Sequence, residues 1–148
     1  MSRATPATAP TEAPALRPIV VCADDYGLNE AVSRAIVDLA ERARLSATSA
    51  MVLSPHWGAH AQRLQALRGR IDVGLHLDWT SDFAQAAGHG APLPRVMLQA
   101  LLRRLSAAQV RAVIERQLDL FEQHWQAAPD HVDGHQHVQQ FPVVREQL

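Results

Sequence analysis

Two adjacent carboxylates, Asp24 and Asp25, a histidine in an apolar run, His76, and the short stretch from His131 to His137 are the residues whose types could do chemistry. Neutral imidazole and carboxylate together make a mixed nitrogen and oxygen donor set for a divalent cation, with solvent in the remaining positions. A cation held that way lowers the pKa of water, polarises a carbonyl and steadies a developing oxyanion. A spare carboxylate nearby can take the water's proton. Each signal also has a structural explanation. Asp24-Asp25 with Gly27 could form a turn and cap a helix. His76, between Leu75 and Leu77, could be a hydrogen-bonded core residue. Asp133-Gly134-His135-Gln136-His137 is harder to explain that way, because two imidazoles and a carboxylate within five residues are costly to bury without a partner.

Such residues act together only if the fold gathers them, and the periodicity of the chain supplies a means. Ile19 to Ala23 is a short β-branched, apolar run, expected to be a strand covered on both faces of a parallel sheet. It ends at the acidic pair. Asn29 can then cap a helix whose expected inner face is Val32, Ile36, Leu39 and Ala43. A second strand is expected over Thr48 to Leu53, a helix opened by Pro55 through Leu64 and Leu67, and a third strand over Ile71 to Leu77. Thr80 to Pro94, with its Gly, Ala and Pro content, is expected to be a long loop over the site. Ser106 followed by Gln109 suggests a capping box, and Val110, Val113, Ile114, Leu118, Phe121 and Trp125 mark the apolar face of a long helix. A fourth strand is expected near Asp130 to Asp133, and Pro142 could start another helix. Strand and helix in alternation imply an α/β fold with a parallel sheet and outer helices. Asp24-Asp25, His76 and the His131 to His137 stretch then stand at the carboxyl ends of strands, where such sheets form their crevice.

With 148 residues and 47% hydrophobic content, the chain can bury one core. Fourteen Lys and Arg against fifteen Asp and Glu leave a formal net charge of -1, so no basic field draws it to nucleic acid. No run is long and apolar enough for a membrane span, and the single cysteine, Cys22, is expected to be a buried, inert thiol; a cytoplasmic location is the expectation. Met1 to Leu16, rich in Ala, Thr and Pro, is expected to be a disordered leader before a domain spanning 17–148. His56, His60, His89, His124 and His131 have no setting that marks them as ligands. Among Trp57, Trp79 and Trp125, the last fits a core stripe and Trp79 is the candidate for lining a sugar site.

Three motifs in combination, Ala23-Asp24-Asp25-Tyr26-Gly27, Gly74-Leu75-His76-Leu77 and Asp133-Gly134-His135-Gln136-His137, closely resemble the YdjC-like carbohydrate deacetylases, the group that includes ChbG and HpnK. The resemblance runs from about Arg17 to the last residue and takes in Leu45 to Met51. It implies a (β/α) barrel-like fold and removal of acetyl groups from N-acetylated amino sugars or a sugar-bearing lipid. It also implies a divalent cation, Mg2+ or Zn2+, on Asp25, His76 and His135, with Asp24 as general base and His137 on the substrate side. Phe is commoner than Tyr at position 26, and Ser is common at position 134. A full barrel takes about 250 residues, and four strands are read before Leu148, so the expectation is the N-terminal half of a barrel, without the later histidine that protonates the leaving amine. Alternatives from the residues are a metal-dependent phosphoesterase, for which no glycine-rich phosphate loop is evident, and an inactive metal- or sugar-binding module. Half a barrel exposes sheet edges and apolar surface, so self-association as a homo-oligomer is a further expectation.

Overall fold

A computed structural model of the protein describes residues 17–148; the expected leader lies outside the described residues. Four strands, β1 (Cys22–Tyr26), β2 (Ala47–Ala50), β3 (Asp72–Leu77) and β4 (Val132–Gly134), form one parallel sheet in the order β1-β2-β3-β4. Parallel neighbours need crossover connections. These are supplied by α1 (Glu30–Glu41), α2 (Trp57–Leu64) and, between β3 and β4, by α3 (Asp82–Ala86), α4 (Leu93–Leu101) and α5 (Ala107–Trp125). The α/β class with a parallel sheet and flanking helices is as the sequence suggested. No helix among the described residues is long and apolar enough to cross a membrane.

The register divides the sheet into two faces. Ala23 pairs with Thr48 and Thr48 with Val73, while Ser49 pairs with Gly74 and His76 with Asp133. Side chains alternate along a strand, so Val73, Leu75 and Leu77 share the face under the helices, and Ser49, Gly74, His76 and Asp133 share the other. The helix-covered face holds the core. Val73, Leu75 and Leu77 are fully buried together with Trp57, Leu64 and Phe121. Trp57 stacks on Phe121 with centroids 5.7 Å apart and donates its indole N–H to the Leu120 carbonyl at 2.9 Å, which locks α2 onto α5. On α5, Val110, Ile114, Phe121 and Trp125 are buried as expected. The buried polar residue in that stripe, Gln117, is fully paired: its amide oxygen accepts from the Asp78 N–H at 2.9 Å and its amide donates to the Asp78 carbonyl at 3.2 Å.

Several local expectations are corrected. The apolar run Ile19 to Ala23 is not covered on both faces: β1 starts at Cys22, and Ile19 and Val20 are 80% and 70% exposed, because β1 is an edge strand with one neighbour. Cys22 is exposed rather than buried. The inner face of α1 is Ser33, Ile36 and Ala40, whereas Leu39 is exposed and Ala43 lies beyond the helix. Ser33 takes the inner position because its hydroxyl accepts from the Gly27 N–H and donates to the Asn29 carbonyl, closing the β1–α1 turn. Thr80 to Pro94 is no open loop, since Ser81 caps α3 by accepting from Phe83 and Ala84. Its hydrogen bonds run to Trp79, Asp78 and Arg116, while Phe83 reaches the cleft that Leu28 and Asn29 line. The helix α4, to which the sequence reading gave no element although Val96 and Ala100 are four apart, follows at once, and Pro142 starts none.

Gly74 is glycine for a steric reason. A Cβ there would overlap the imidazole of His131, which lies across β3 from the start of β4. Gly74→Ala is therefore expected to destabilise the fold by about 1–3 kcal/mol, as overpacking does, measured by chemical denaturation. The double variant Gly74→Ala/His131→Ala should regain much of that loss; equal stability of Gly74→Ala and the unaltered chain would remove the steric argument.

Candidate metal centre

β1 brings both acidic side chains to the open face by breaking its own pleat. In a regular strand Asp24 and Asp25 would point to opposite faces. Here the register slips between Ala23, paired with Thr48, and Tyr26, paired with Ala50, so that β1 carries one extra residue. Asp25 absorbs the bulge with φ +64°, a conformation Asp tolerates better than most residues. The following turn closes with the Leu28 N–H donating to the Asp25 carbonyl at 3.0 Å, and Gly27, at φ +97°, packs against the Met51 carbonyl.

The three residues expected as ligands converge. The Asp25 Oδ1 lies 3.1 Å from the His76 Nε2 and 2.8 Å from the His135 Nδ1, although 110 residues separate Asp25 from His135 in the chain. The two imidazoles meet edge to face with centroids 5.7 Å apart. One donor atom from each of Asp25, His76 and His135 fits within a 4.8 Å span, and so does one from each of Asp24, His76 and Asp133. The acidic pair thus flanks His76 from one side while β4 flanks it from the other. This donor set fits a divalent cation: two imidazole nitrogens and a carboxylate oxygen converge on one point, and Asp24 stays exposed beside them.

Ser49 and Asp133 are residues the sequence reading did not put to this use. Asp133 Oδ1 accepts from the buried His76 Nδ1 at 2.7 Å, and the Ser49 hydroxyl donates to Asp133 Oδ2 at 2.9 Å while lying 3.1 Å from the same His76 nitrogen. A ring held at Nδ1 by a carboxylate presents Nε2 in one direction, which is how supporting groups orient a ligating histidine. Period-two register could have found Ser49, since it lies on the same face as His76. His131 was expected to be peripheral, yet it fills the space over Gly74 with its Nε2 3.7 Å from the Cys22 sulfur. The Cys22 thiol is pushed up to about 11 by partial burial and by the carboxylates of Asp133 and Asp24, so it stays protonated at neutral pH. His137 is exposed, with φ +60°, and Trp79 is 4% exposed with its ring edge-on to His89, in the lining of a cleft it shares with Val96, Gln99 and Val110.

Electrostatics follow the geometry. Burial alone would lower the His76 pKa, but hydrogen bonds to Asp133 and Asp25 outweigh it and raise the value from 6.5 to about 9. Hydrogen bonds from His135 and His76 hold the Asp25 carboxyl far below the usual carboxylate range, against the opposing effect of burial.

Fold and site together define a class: a parallel α/β sheet that carries a histidine and carboxylate centre of metal-binding type at its strand ends. The chain belongs to the YdjC-like family, whose model matches residues 18–148. It is 25% identical over 132 residues to a carbohydrate deacetylase of Enterococcus faecalis, covering 81% of this chain and 48% of that protein. It is 28% identical over 137 residues to a chitooligosaccharide deacetylase of Proteus mirabilis (86% and 54%), and 30% identical over 142 residues to a carbohydrate deacetylase of Xenopus laevis (86% and 45%). The chain thus spans about half the length of the curated relatives it matches. Its fold is similar to that of a crystal structure from Enterococcus faecalis V583 described as a cellobiose-phosphate cleavage protein, with TM-score 0.66 and 20% identity over 80% of this chain and 48% of that one.

Two outcomes test the centre. His76→Ala and His135→Ala should each abolish stoichiometric cation binding measured by calorimetry, and Asp133→Asn should weaken it about 10–100-fold; full affinity in all three would discard the ligand set. The second concerns pH. In the cation-free protein the folded-state value for His76, about 9, exceeds its ordinary 6.5. Its pairing therefore stabilises the fold fully below about 6.5 and loses that contribution as pH rises through about 9. Cation binding requires the neutral ring, so affinity should rise over the same window with proton release, read by titration in buffers of different ionisation enthalpy. In His76→Ala both trends should vanish.

Proposed function

We propose that this chain carries the metal centre of a hydrolase that removes acetyl groups from N-acetylated amino sugars, free or borne on a lipid, with Asp25, His76 and His135 as ligands for Mg2+ or Zn2+. The observation that carries the reading is the β1 bulge: it turns two consecutive carboxylates to the same face, so that one can ligate while its neighbour stays free for proton transfer. When bound, a divalent cation supplies Lewis-acid polarisation of the acetyl carbonyl and acidifies water. The chain's own groups do the rest. Asp133 and Ser49 hold His76 in one orientation, and Asp24 takes the proton from the attacking water as its oxygen bonds to the acetyl carbon. The C–N bond then breaks, the departing nitrogen takes up the proton that Asp24 received from the water, and acetate and a free amino sugar result. Names of relatives from three different organisms, all sugar deacetylases, support the substrate class. Between Mg2+ and Zn2+ the donor types favour neither strongly, since mixed imidazole and carboxylate sets accept several ions.

Acetate release from N-acetylglucosamine oligomers and from an acetylated glycolipid, assayed with each cation, tests the proposal. Asp24→Asn should lower kcat by about 10²–10⁴-fold with cation content unchanged. Phosphate release from a phosphoester in place of acetate release would overturn the assignment in favour of a phosphoesterase, and sugar binding with no turnover in favour of a binding module.

A further inference from the structure

A second group of donors stands on the open face of the sheet, nearer the amino ends of the strands than Asp25 and His135. Cys22 opens β1, and His131 lies two residues before Asp133. One donor atom from each of Cys22, His131 and Asp133 falls within a 4.8 Å span. The Cys22 sulfur is 3.7 Å from the His131 Nε2. A tetrahedral Zn2+ with thiolate at about 2.3 Å and imidazole at about 2.0–2.1 Å sets its sulfur and nitrogen about 3.6 Å apart. The fold already holds this pair at that spacing.

The fold also fixes each donor. Cys22 is held in register with Ala47, and the His131 carbonyl accepts from the Leu75 N–H at 3.0 Å. The His131 ring lies in the space that a Cβ at Gly74 would take, so the bare backbone of β3 seats it. Asp133 accepts from His76 on one oxygen and from Ser49 on the other. Each carboxylate oxygen keeps a second lone pair, so Asp133 can ligate without releasing His76. Cys22 is exposed and the other two are partly buried, which lets an ion enter and water complete its coordination.

The donors also come from opposite ends of the sheet, whose order is β1-β2-β3-β4. In a flat sheet those outer strands would stand roughly 14 Å apart, and here their side chains meet across the open face. Thiolate with imidazole and carboxylate suits Zn2+, whereas Mg2+ takes oxygen donors. On binding, the Cys22 S–H bond breaks, its proton passes to solvent and a metal–sulfur bond forms.

We propose that Cys22, His131 and Asp133 form a second cation site, selective for Zn2+ over Mg2+, that ties the two outer strands of the described sheet together. The site has no part in the bond-breaking step at the neighbouring centre, and that centre has no sulfur among its donors.

The test is titration of the full chain with Co2+, a spectroscopic stand-in for Zn2+, under reducing conditions, beside Cys22→Ala, His131→Ala and His135→Ala. A cobalt–thiolate bond gives a near-ultraviolet charge-transfer absorption that imidazole and carboxylate do not, and Cys22 is the single cysteine. The absorption should appear in the unaltered chain and in His135→Ala, be displaced by Zn2+ and not by Mg2+, and be lost in Cys22→Ala and His131→Ala. Calorimetry with Zn2+ should count one ion fewer on Cys22→Ala than on the unaltered chain. Cys22 is exposed, so its variant keeps the test valid if His131→Ala disturbs the packing over Gly74. Absence of the absorption in the unaltered chain would overturn the site, as would its survival in His131→Ala, which would mean a thiol acting alone. An ion lost in His135→Ala but none lost in Cys22→Ala would sink this site and leave the centre at Asp25, His76 and His135 standing. The absorption without any ion lost in His135→Ala would support this site and sink the other.

Discussion

His76 is gripped at both ring nitrogens, by Asp133 and Ser49 on one side and by Asp25 on the other, and most of the architecture serves that grip. The imidazole is buried, so loss of either partner would leave a polar group unpaired at a cost of about 1–3 kcal/mol. Three strands must hold register for the grip to exist. Ser49 faces His76 because β2 and β3 align Ser49 with Gly74, and Asp133 does so because β3 and β4 align it with His76 itself. Gly74 permits the β4 alignment by leaving room for His131. The helices act from the opposite face: Trp57, Phe121 and the paired Gln117 fix α2 and α5 against β3, which sets the height at which His76 leaves the sheet.

The division between a core face and a site face also explains where polar residues could be tolerated. On β3, Val73, Leu75 and Leu77 alternate with Gly74 and His76, so each turn of the pleat adds one residue to packing and one to chemistry. Thr48, although fully buried on the packed face, returns its hydroxyl to the Ala23 carbonyl and leaves no unpaired group there.

Much of this was legible in the sequence, and the reasons differ by feature. The α/β alternation, the Asn29 and Ser106 caps and the positions of the donor residues rest on local spacing, which a single chain displays. What was hidden depends on neighbours. An apolar run such as Ile19 to Val21 has the same pattern at a sheet edge as inside the sheet. The inner face of α1 was misjudged at Leu39 because Ser33, a polar residue, is drawn inward by the backbone of the preceding turn. The helix α3 was missed because it is short and sits in a Gly- and Pro-containing stretch, even though Ser81 can start it, and α4 was passed over although Val96 and Ala100 are four apart on its buried face. The bulge at Asp24 and Asp25 left no compositional mark except Gly27, and the role of Ser49 emerges only when three strands are set side by side.

One consequence of the 110-residue separation between Asp25 and His135 belongs to the life of the chain before it folds. At roughly 5–20 residues per second on a ribosome, the acidic pair leaves the exit tunnel about 5–20 s ahead of the histidine that completes its set. During that interval β1, β2 and then β3 can pair, and Asp25 meets His76 with a third donor still unmade. The nascent chain therefore passes through a stage in which the cluster is half assembled, with the His76 Nδ1 and part of the Asp25 carboxylate still open to water. The grip on His76 is likewise completed only by Asp133 of β4, so the last strand of the described sheet closes the cluster that the first one opens.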